Sequence, residues 1–357
     1  MTSAERRVLA GPAEGYRAVS TLYQALMTGL VLTLVTQRSA DLAERFVFEH
    51  FRRQHLEKFL PGLDKLGLRG LPHAVACAQY HYLSNQVGGV KVEYTYESDR
   101  KAWVRYPPPR WIWAGAAICG IPSRVNAAML HGWHGHNGVT LGNPRLGFVC
   151  TGQTVDGDPG LEGYYLEYDR DLAPEERVRF ARGERGPAVD PERRPQLDAS
   201  DWTPERLARV WRSYAVEYVR TMLPVMLALV GPEETRALVG RAARLIGMQC
   251  YDETAARLGI APGGAAAFAQ YLAALARAQG ETVEVDTIGD GRRAEVVIRQ
   301  DGWRLVRGLP ALDPAAFDAW NALWEGALAV HDRGLALTVA RRADRGDGGV
   351  EWRVAAA

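Results

Sequence analysis

The sequence predicts an α+β protein built from two tandem repeats, each with the element order helix, helix, helix, hairpin, helix, hairpin. Long stretches with helical periodicity alternate with pairs of short runs in which apolar and polar residues alternate, as they do in hairpins. Short groups of residues also recur in constant order and at a nearly constant offset, which indicates an internal duplication. The recurring groups are Ala78-Gln-Tyr80 with Ala269-Gln-Tyr271, Val92-Glu-Tyr94 with Val283-Glu-Val285, and Asn126-Ala-Ala128 with Asn321-Ala-Leu323.

The first repeat is predicted to occupy residues 1–168. Ser39 is expected to cap its second helix and Ser123 its fourth, because a serine side chain can accept from the free backbone N–H groups of a first turn. Pro61-Gly62 is expected to end the second helix, since proline lacks the donor that a helix interior needs. The predicted helices cover 16–35, 41–60, 72–88 and 124–133, and the predicted hairpins cover 90–106 and 146–168.

Residues 169–203 are rich in charge and proline, which predicts a surface linker with little core. The second repeat is predicted over 204–357, where Thr203-Pro-Glu205 supplies a cap and a proline at the first helical position. The alternating hairpins predict antiparallel sheets with one face covered by helices. The two repeats are expected to form a pseudo-twofold pair, with a small-molecule pocket in the groove between them or in the core of one repeat.

Composition narrows the classes of partner. The chain has 357 residues, 47% of them hydrophobic and 24% charged, and its net charge is +1. This charge gives no electrostatic reason to expect nucleic acid or an anionic membrane as partner. The most apolar stretch, Leu22 to Val35, is shorter than the about 20 residues that span a bilayer. A cytoplasmic protein with a small-molecule substrate or ligand is predicted, and a homo-oligomer is left open.

The helix after Pro72 carries a stripe of reactive side chains. His73, Cys77 and His81 are four residues apart, so they lie on one helix face. Imidazole and thiol groups bind soft or borderline metals, and this predicts a zinc, iron or copper site. Without a metal, Cys77 is a candidate nucleophile activated by a neighbouring histidine. The alternative is a half-buried helix whose histidines bond to backbone or water and whose cysteine only packs.

His131, His134 and His136 form a second candidate group, as acid/base or ligand groups. The aligned stretch of the second repeat keeps only His331, and the aligned face of its third helix is apolar. Seven of the eight histidines lie in the first half, whereas a duplication by itself leads us to expect an even split. The first repeat is therefore the candidate active half. The alternative is a solvated helix end, where histidines suit the C-terminal dipole.

Three aromatic residues, Trp103, Trp133 and Tyr80, are predicted to line a pocket for an apolar or aromatic substrate. The alternative is that these rings simply fill the core of the first repeat. The leading interpretation of the sequence is an enzyme, a hydrolase or lyase that acts on a small cyclic or aromatic compound. The alternatives are a non-catalytic protein that binds a small ligand and a haem- or metal-dependent oxygenase; otherwise no cofactor is expected.

The order of elements resembles the vinyl-reductase-type ligand-binding domain, which is related in fold to the TRAPP small subunits. The closing stretch from Leu337 to Arg353 is similar to the last hairpin of the L-2-amino-thiazoline-4-carboxylate hydrolase family, although Val350-Glu-Trp352 stands where that family usually has Cys-Asp-Phe. These resemblances imply the fold and a pocket-type function. His73-Ala-Val-Ala-Cys77 is also similar to the His-x-x-x-Cys pattern of tyrosine-type peroxygenases, which implies a covalently attached haem.

Overall fold

The computed structural model describes residues 11–110, 112–289 and 295–357. In this part of the chain the protein is α+β, as the sequence predicts, with eight α-helices and two sheets that contain antiparallel strands. Contacts within the chain define two compact units. The middle unit is Leu34–Leu207, and the terminal unit is Ala208–Ala357 together with the chain up to Thr33. The predicted boundaries at 168 and 203 divide the sequence by repeat, and they stay predictions.

The middle unit packs four helices on a five-stranded sheet. The strand order is β1-β2-β4-β3-β5, and all pairs are antiparallel except β3 with β5. Its helices are α2 (Ala40–Lys65), α3 (His73–Val87), α4 (Ser123–Gly132) and the short α5 (Asn137–Thr140). Its strands are β1 (Glu93–Ser98), β2 (Lys101–Tyr106), β3 (Leu146–Gly152), β4 (Leu161–Glu167) and β5 (Val178–Phe180). The hairpins β1–β2 and β3–β4 lie where the sequence predicts them.

Helix α2 begins at the predicted cap but ends later than predicted. The Ser39 side chain accepts a hydrogen bond from Leu42 N at 3.1 Å. The helix then continues through Pro61 to Lys65, so the expectation that Pro61-Gly62 ends it is wrong. Packing outweighs the missing donor, because Leu63 is fully buried and a Cβ on Gly62 would lie 2.5 Å from the Tyr80 ring.

Part of the predicted linker belongs to the sheet. Val178 is buried and lies in β5, which runs parallel to β3. Beyond this strand Ala181 packs on a cluster formed by Trp103, Val149 and Tyr164. Val178 therefore extends the sheet on the side of Phe148, and Ala181 covers part of the opposite face. Arg179 and Phe180 between them are exposed, and the linker boundaries stay a prediction.

The terminal unit has the same kind of architecture, with a four-stranded antiparallel sheet in the order β6-β7-β9-β8. Its strands are β6 (Val283–Ile288), β7 (Glu295–Asp301), β8 (Leu335–Arg341) and β9 (Gly349–Ala356). The predicted turn between β6 and β7 falls largely on 290–294, which lie outside the described residues. The helices are α6 (Pro204–Arg257), α7 (Ala265–Gln279), α8 (Ala315–His331) and most of α1 (Pro12–Gln37). Gly231, at φ 78° and ψ 176°, breaks α6 into two segments.

Two helices, α1 and α6, are long and apolar enough to cross a membrane by length and composition. The most apolar window is 61% buried in α1 and 44% buried in α6. Core helices of soluble proteins meet the same criterion, so the expectation that no membrane is a partner stays a prediction.

Candidate functional site

The two predicted histidine groups meet in the core of the middle unit. His81 lies on α3, and His134 begins the short 3-10 turn that follows α4. Their rings stack with centroids 4.2 Å apart and an interplanar angle of 11°. Both side chains are buried, and His134 is 5% exposed. The fold therefore brings one member of each predicted group into direct contact.

Aromatic rings surround this pair of imidazoles. Tyr165 of β4 is nearly parallel to both, with centroid distances of 5.8 Å to His81 and 5.9 Å to His134. The ring centroid of Phe148 on β3 lies 4.5 Å from that of His134, and the ring centroid of Trp133 lies 6.1 Å from that of His81. We call the following set the histidine–aromatic cluster: His55, Tyr80, His81, Trp133, His134, Phe148 and Tyr165.

Asn137 is the polar centre of the cluster. Its Nδ2 donates to the Tyr165 hydroxyl at 2.8 Å and lies 3.5 Å from His81 Nε2. The other ring nitrogen of His81, Nδ1, lies 3.1 Å from the Tyr106 hydroxyl. Because an amide NH₂ group can only donate, Nε2 of His81 accepts, and in the neutral ring Nδ1 carries the proton and donates to Tyr106.

Several polar atoms here have no hydrogen-bond partner among the described residues. Unpartnered buried groups are rare in native cores, and each costs about 1–3 kcal/mol. A concentration of them in one place therefore points to a site for a ligand or water. The atoms are both ring nitrogens of His134 and Nε1 of Trp133. Nε2 of His55 and Oδ1 of Asn137 also lack a well-aligned partner, but these two side chains interact with each other, and this interaction raises the pKa of His55 against the larger effect of burial.

Burial keeps these histidines neutral. Desolvation, with smaller effects of neighbouring cations, lowers the pKa of His55 and that of His134 to about 3. The pKa of His81 also falls well below its ordinary value, because of burial and then of the adjacent His134. An imidazole with such a pKa is uncharged near neutral pH, and it offers one donor and one acceptor.

Cys77 lies on α3, four residues before His81, and its side chain is fully buried. Burial raises the pKa of its thiol well above the ordinary value. The thiolate, not the thiol, is the nucleophile and the metal ligand, and a cysteine in such surroundings is normally inert. The geometry therefore gives no support to the predicted nucleophile role of Cys77.

His73 is engaged outside the cluster. Its Nδ1 accepts a hydrogen bond from Asn143 Nδ2 at 3.1 Å. Asn143 Nδ2 also donates to the Glu167 carboxylate at 3.0 Å. Within residues 11–110, 112–289 and 295–357, no group of three or more His, Cys, Asp or Glu side chains is arranged to hold a metal. The predicted metal site at His73, Cys77 and His81 gains no support from this arrangement, and it stays a prediction.

The remaining two predicted histidines lie in different surroundings. The Nδ1 of His136 donates to the carbonyl oxygen of His131 at 2.9 Å, and its ring lies 6.3 Å from that of His55, so His136 borders the cluster. His131 instead lines a surface cleft of about 530 Å³ between α2 and α4. Burial lowers the pKa of both imidazoles.

Two of the three predicted pocket residues belong to the cluster. The rings of Tyr80 and Trp133 stack with centroids 6.3 Å apart. Trp103 is on the opposite face of the sheet, 4.5 Å from the ring of Tyr164. Side chains alternate along a strand, and Trp103 pairs with Tyr164 whereas its neighbour Ala102 pairs with Tyr165. Trp103 is therefore not part of this site.

The sequence did not single out several cluster residues. His55 carried a usable signal, because it belongs to the excess of histidines in the first half and aligns with Cys250 of the predicted second repeat. Phe148 and Tyr165 share a face because they pair across β3 and β4, and the alternation within each strand does not reveal this register or the helix side chains that they meet. Asn137 follows His136 directly, although nothing in its spacing indicated a central role.

Comparison of this chain with protein-family models, curated proteins and solved structures finds no match. The interpretation of the site therefore depends on its own geometry.

Proposed function

We propose that this protein binds a small aromatic molecule in the histidine–aromatic cluster of the middle unit. The observation that carries the proposal is His134, which is 5% exposed and packed among aromatic rings. Neither of its ring nitrogens has a partner among the described residues. A ligand that bonds to these atoms removes an energetic cost of about 1–3 kcal/mol for each. Apolar walls with a few placed polar groups are also the usual composition of small-ligand sites.

The unpartnered atoms indicate the chemistry of the ligand. His55 Nδ1 faces the guanidinium of Arg52 at 2.9 Å, which can only donate, so Nε2 of the neutral ring carries the proton. Trp133 thus offers an N–H donor, and neutral His134 offers one donor and one acceptor. The N–H of His55 interacts with Asn137, whose side-chain oxygen has a second lone pair for a ligand. A planar ring with a hydroxyl group can stack on these side chains and both donate and accept. Phenolic or heteroaromatic compounds are the proposed class.

Binding without chemistry is better supported than the predicted catalysis. A general acid or base works best with a pKa near the operating pH, whereas burial lowers the pKa of His55 and His134 to about 3. Burial also keeps the Cys77 thiol protonated. A ligand-binding role is what the resemblance to the vinyl-reductase-type domain implies. The hydrolase, lyase and haem- or metal-oxygenase interpretations stay predictions.

The tandem duplication with pseudo-twofold symmetry is part of the same proposal. The order α3, β1–β2, α4, β3–β4 of the middle unit recurs as α7, β6–β7, α8, β8–β9 in the terminal unit. The strand orders β1-β2-β4-β3 and β6-β7-β9-β8 correspond position by position. In both last hairpins a register shift precedes a 3-10 turn that ends at a left-handed glycine, Gly157 or Gly346. These shared details support descent from one repeat.

A cytoplasmic location without a membrane or nucleic-acid partner completes the proposal. The net charge of +1 supports it, since it provides no attraction for anionic surfaces. Burial of 61% of the apolar window of α1 supports a core role for that helix.

The proposed function can be tested with two probes that differ in one hydroxyl group, 4-methylphenol and toluene. We expect 4-methylphenol to raise the melting temperature with increasing concentration, and to do so more than toluene, because a ligand that binds only the folded state stabilises it. His134→Phe should abolish the difference between the probes. His331→Phe, the same change in the terminal unit, should leave it intact. Equal effects of both probes in all three proteins would contradict the proposal.

A further inference from the structure

Arginines supply four of the eight residues that line a cleft lying wholly within the terminal unit. Its volume is about 250 Å³, and its walls are α6, the end of α7 and the 3-10 turn Arg304–Val306 with the residue after it. We call it the arginine cleft. Its four arginines are Arg212 and Arg220 of α6, and Arg304 and Arg307 of the turn.

Two of the guanidinium groups converge on one point. A Cβ placed on Gly280 would lie 3.5 Å from Nη1 of Arg212 and 3.5 Å from Nη1 of Arg304. Gly280 has φ 91°, a conformation that favours glycine, so no side chain separates the two cations. Burial, and to a lesser extent Arg304, lowers the pKa of Arg212, as repulsion between like charges requires.

Backbone hydrogen bonds hold the turn in place. The Nη1 of Arg220 donates to the carbonyl oxygens of Leu305 at 3.2 Å and of Arg307 at 2.8 Å. Glu281 accepts from the backbone N–H of Arg304 at 2.6 Å. These bonds fix the backbone that carries two arginines, while the guanidinium groups of Arg304 and Arg307 stay on exposed side chains.

The cleft carries more positive than negative charge. Glu217 lies 3.9 Å from Arg220. Burial raises the pKa of Glu281, and the neighbouring cations Arg307 and Arg304 oppose this effect. In the described part of the chain, no carboxylate forms an ion pair within 4.0 Å with Arg212, Arg304 or Arg307. Four guanidinium groups therefore face two carboxylates, and an anion with two charges balances them.

We propose that the arginine cleft binds the phosphate group of a small phosphorylated molecule. The planar fork of a guanidinium group matches the oxygens of a phosphate, which accepts two parallel hydrogen bonds from one arginine. A phosphate dianion also matches the charge excess, and it relieves the repulsion between Arg212 and Arg304. This site is independent of the histidine–aromatic cluster, because all of its residues belong to the terminal unit.

The test is calorimetric titration of inorganic phosphate into the full chain at about pH 8, where phosphate is mainly a dianion, with sodium acetate as the control anion at matched ionic strength. We expect saturable binding of one phosphate per chain and no comparable binding of acetate. Arg304→Gln and Arg307→Gln should each weaken phosphate binding about tenfold or more, since each removes a charge-assisted hydrogen bond. Both side chains are exposed, so the variants are expected to fold.

Arg241→Gln is the matched control, because Arg241 is an exposed arginine of α6 outside the cleft. It should bind phosphate as tightly as the unchanged protein. The proposal is overturned if phosphate shows no saturable binding or binds no better than acetate. It is equally overturned if Arg304→Gln and Arg307→Gln both bind phosphate as tightly as Arg241→Gln does.

Discussion

At the scale of single residues, His134 places two polar ring nitrogens in apolar, aromatic surroundings. Both ring nitrogens lack a partner among the described residues, and Phe148 and His81 pack against the ring. Replacing an unpartnered buried polar group by an apolar one of similar shape is neutral or stabilising. We therefore expect His134→Phe to raise the free energy of unfolding of the ligand-free protein by about 1–3 kcal/mol, as measured by urea denaturation.

The same substitution at His331 should act in the opposite direction. His331 Nδ1 is hydrogen-bonded to the hydroxyl of buried Tyr251, and its Nε2 lies 3.2 Å from the carbonyl oxygen of Gly264. His331→Phe should therefore lower the free energy of unfolding by about 1–3 kcal/mol. If His134→Phe lowers the free energy of unfolding as much as His331→Phe does, His134 has hydrogen-bond partners in the native state and the site is wrongly assigned.

Acid stability follows from the histidines that burial keeps neutral. The pKa values of His50, His55 and His134 are about 3 in the folded protein, against 6.5 for an ordinary histidine. Between pH 3 and pH 6.5 the unfolded chain binds more protons than the folded protein does. The free energy of unfolding is therefore highest above about pH 6.5 and falls as the pH drops toward 3. Each histidine contributes a slope of up to about 1.4 kcal/mol per pH unit.

Urea denaturation at pH 7, 6 and 5 measures this slope, and His55→Phe should reduce it by the share of one histidine. A free energy of unfolding that stays constant from pH 7 to pH 5 would show that these imidazoles titrate alike in the folded and unfolded chains. In that case they are not buried as neutral groups.

How far the site could be predicted depended on the kind of residue. Helical spacing and the comparison of the two predicted repeats were enough to single out His81 and His134 as candidates. The 4.2 Å stack between them could not be derived, because it depends on how the turn after α4 packs on α3. Cys77 shows the converse, since the same spacing that made it a candidate nucleophile also places it on the buried face.

At the scale of elements, the approach of α4 to α2 determines where the cluster forms. A Cβ on Gly132 would lie 2.5 Å from the carbonyl oxygen of Phe48 and 3.1 Å from Arg52 N, so the two helix backbones nearly touch. Trp133 and His134 follow Gly132 directly. We expect Gly132→Ala to push the helices apart and to lower the free energy of unfolding by about 2 kcal/mol or more.

The measurement for Gly132→Ala is urea denaturation followed by tryptophan fluorescence. Gly70→Ala is the matched control, because a Cβ there meets nothing within 4 Å and its backbone is not left-handed. Gly70→Ala should change stability little. Equal stability of the two variants would mean that the close helix contact does not position the turn.

Element boundaries were predictable where capping decides them and not where packing does. The capping role of Ser39 follows from its side chain alone. The extension of α2 through Pro61 depends on burial of Leu63 and on the close approach of Tyr80 to Gly62, which no local pattern contains. Strand β5 was missed for the same reason, since its three residues stand in a charged stretch.

At the scale of the whole molecule, α1 up to Thr33 groups with the terminal unit. The Tyr23 hydroxyl donates to Gln279 at 2.6 Å and accepts from Trp320 Nε1 at 3.0 Å. Tyr23→Phe removes this hydroxyl and leaves Gln279 and Trp320 buried without that hydrogen-bond partner. We expect faster hydrogen exchange in α7 and α8, and little change in α3 and α4, because local openings follow cooperative units. Equal acceleration in all four helices would contradict the division into these units.

The α+β class was predictable from the whole chain, because helical and alternating patterns are each sustained over several elements. The grouping of α1 was not. A helix that is apolar on nearly all sides offers no single face from which to infer its neighbours. Long-range contacts such as those of Tyr23 reveal that most of this helix completes the core of a unit whose other residues begin at Ala208.

The most direct measurement of the central claim is NMR of the imidazole nitrogens in histidine-labelled protein, with His134 assigned by its loss in His134→Phe. The spectrum is recorded from pH 5 to pH 8, with and without 4-methylphenol. We expect the His134 ring to stay neutral throughout, as its pKa of about 3 requires, and both nitrogen signals to shift when the ligand is added. A ring that titrates near its ordinary pKa, or signals that do not respond to 4-methylphenol, would contradict a dry ligand site at this histidine.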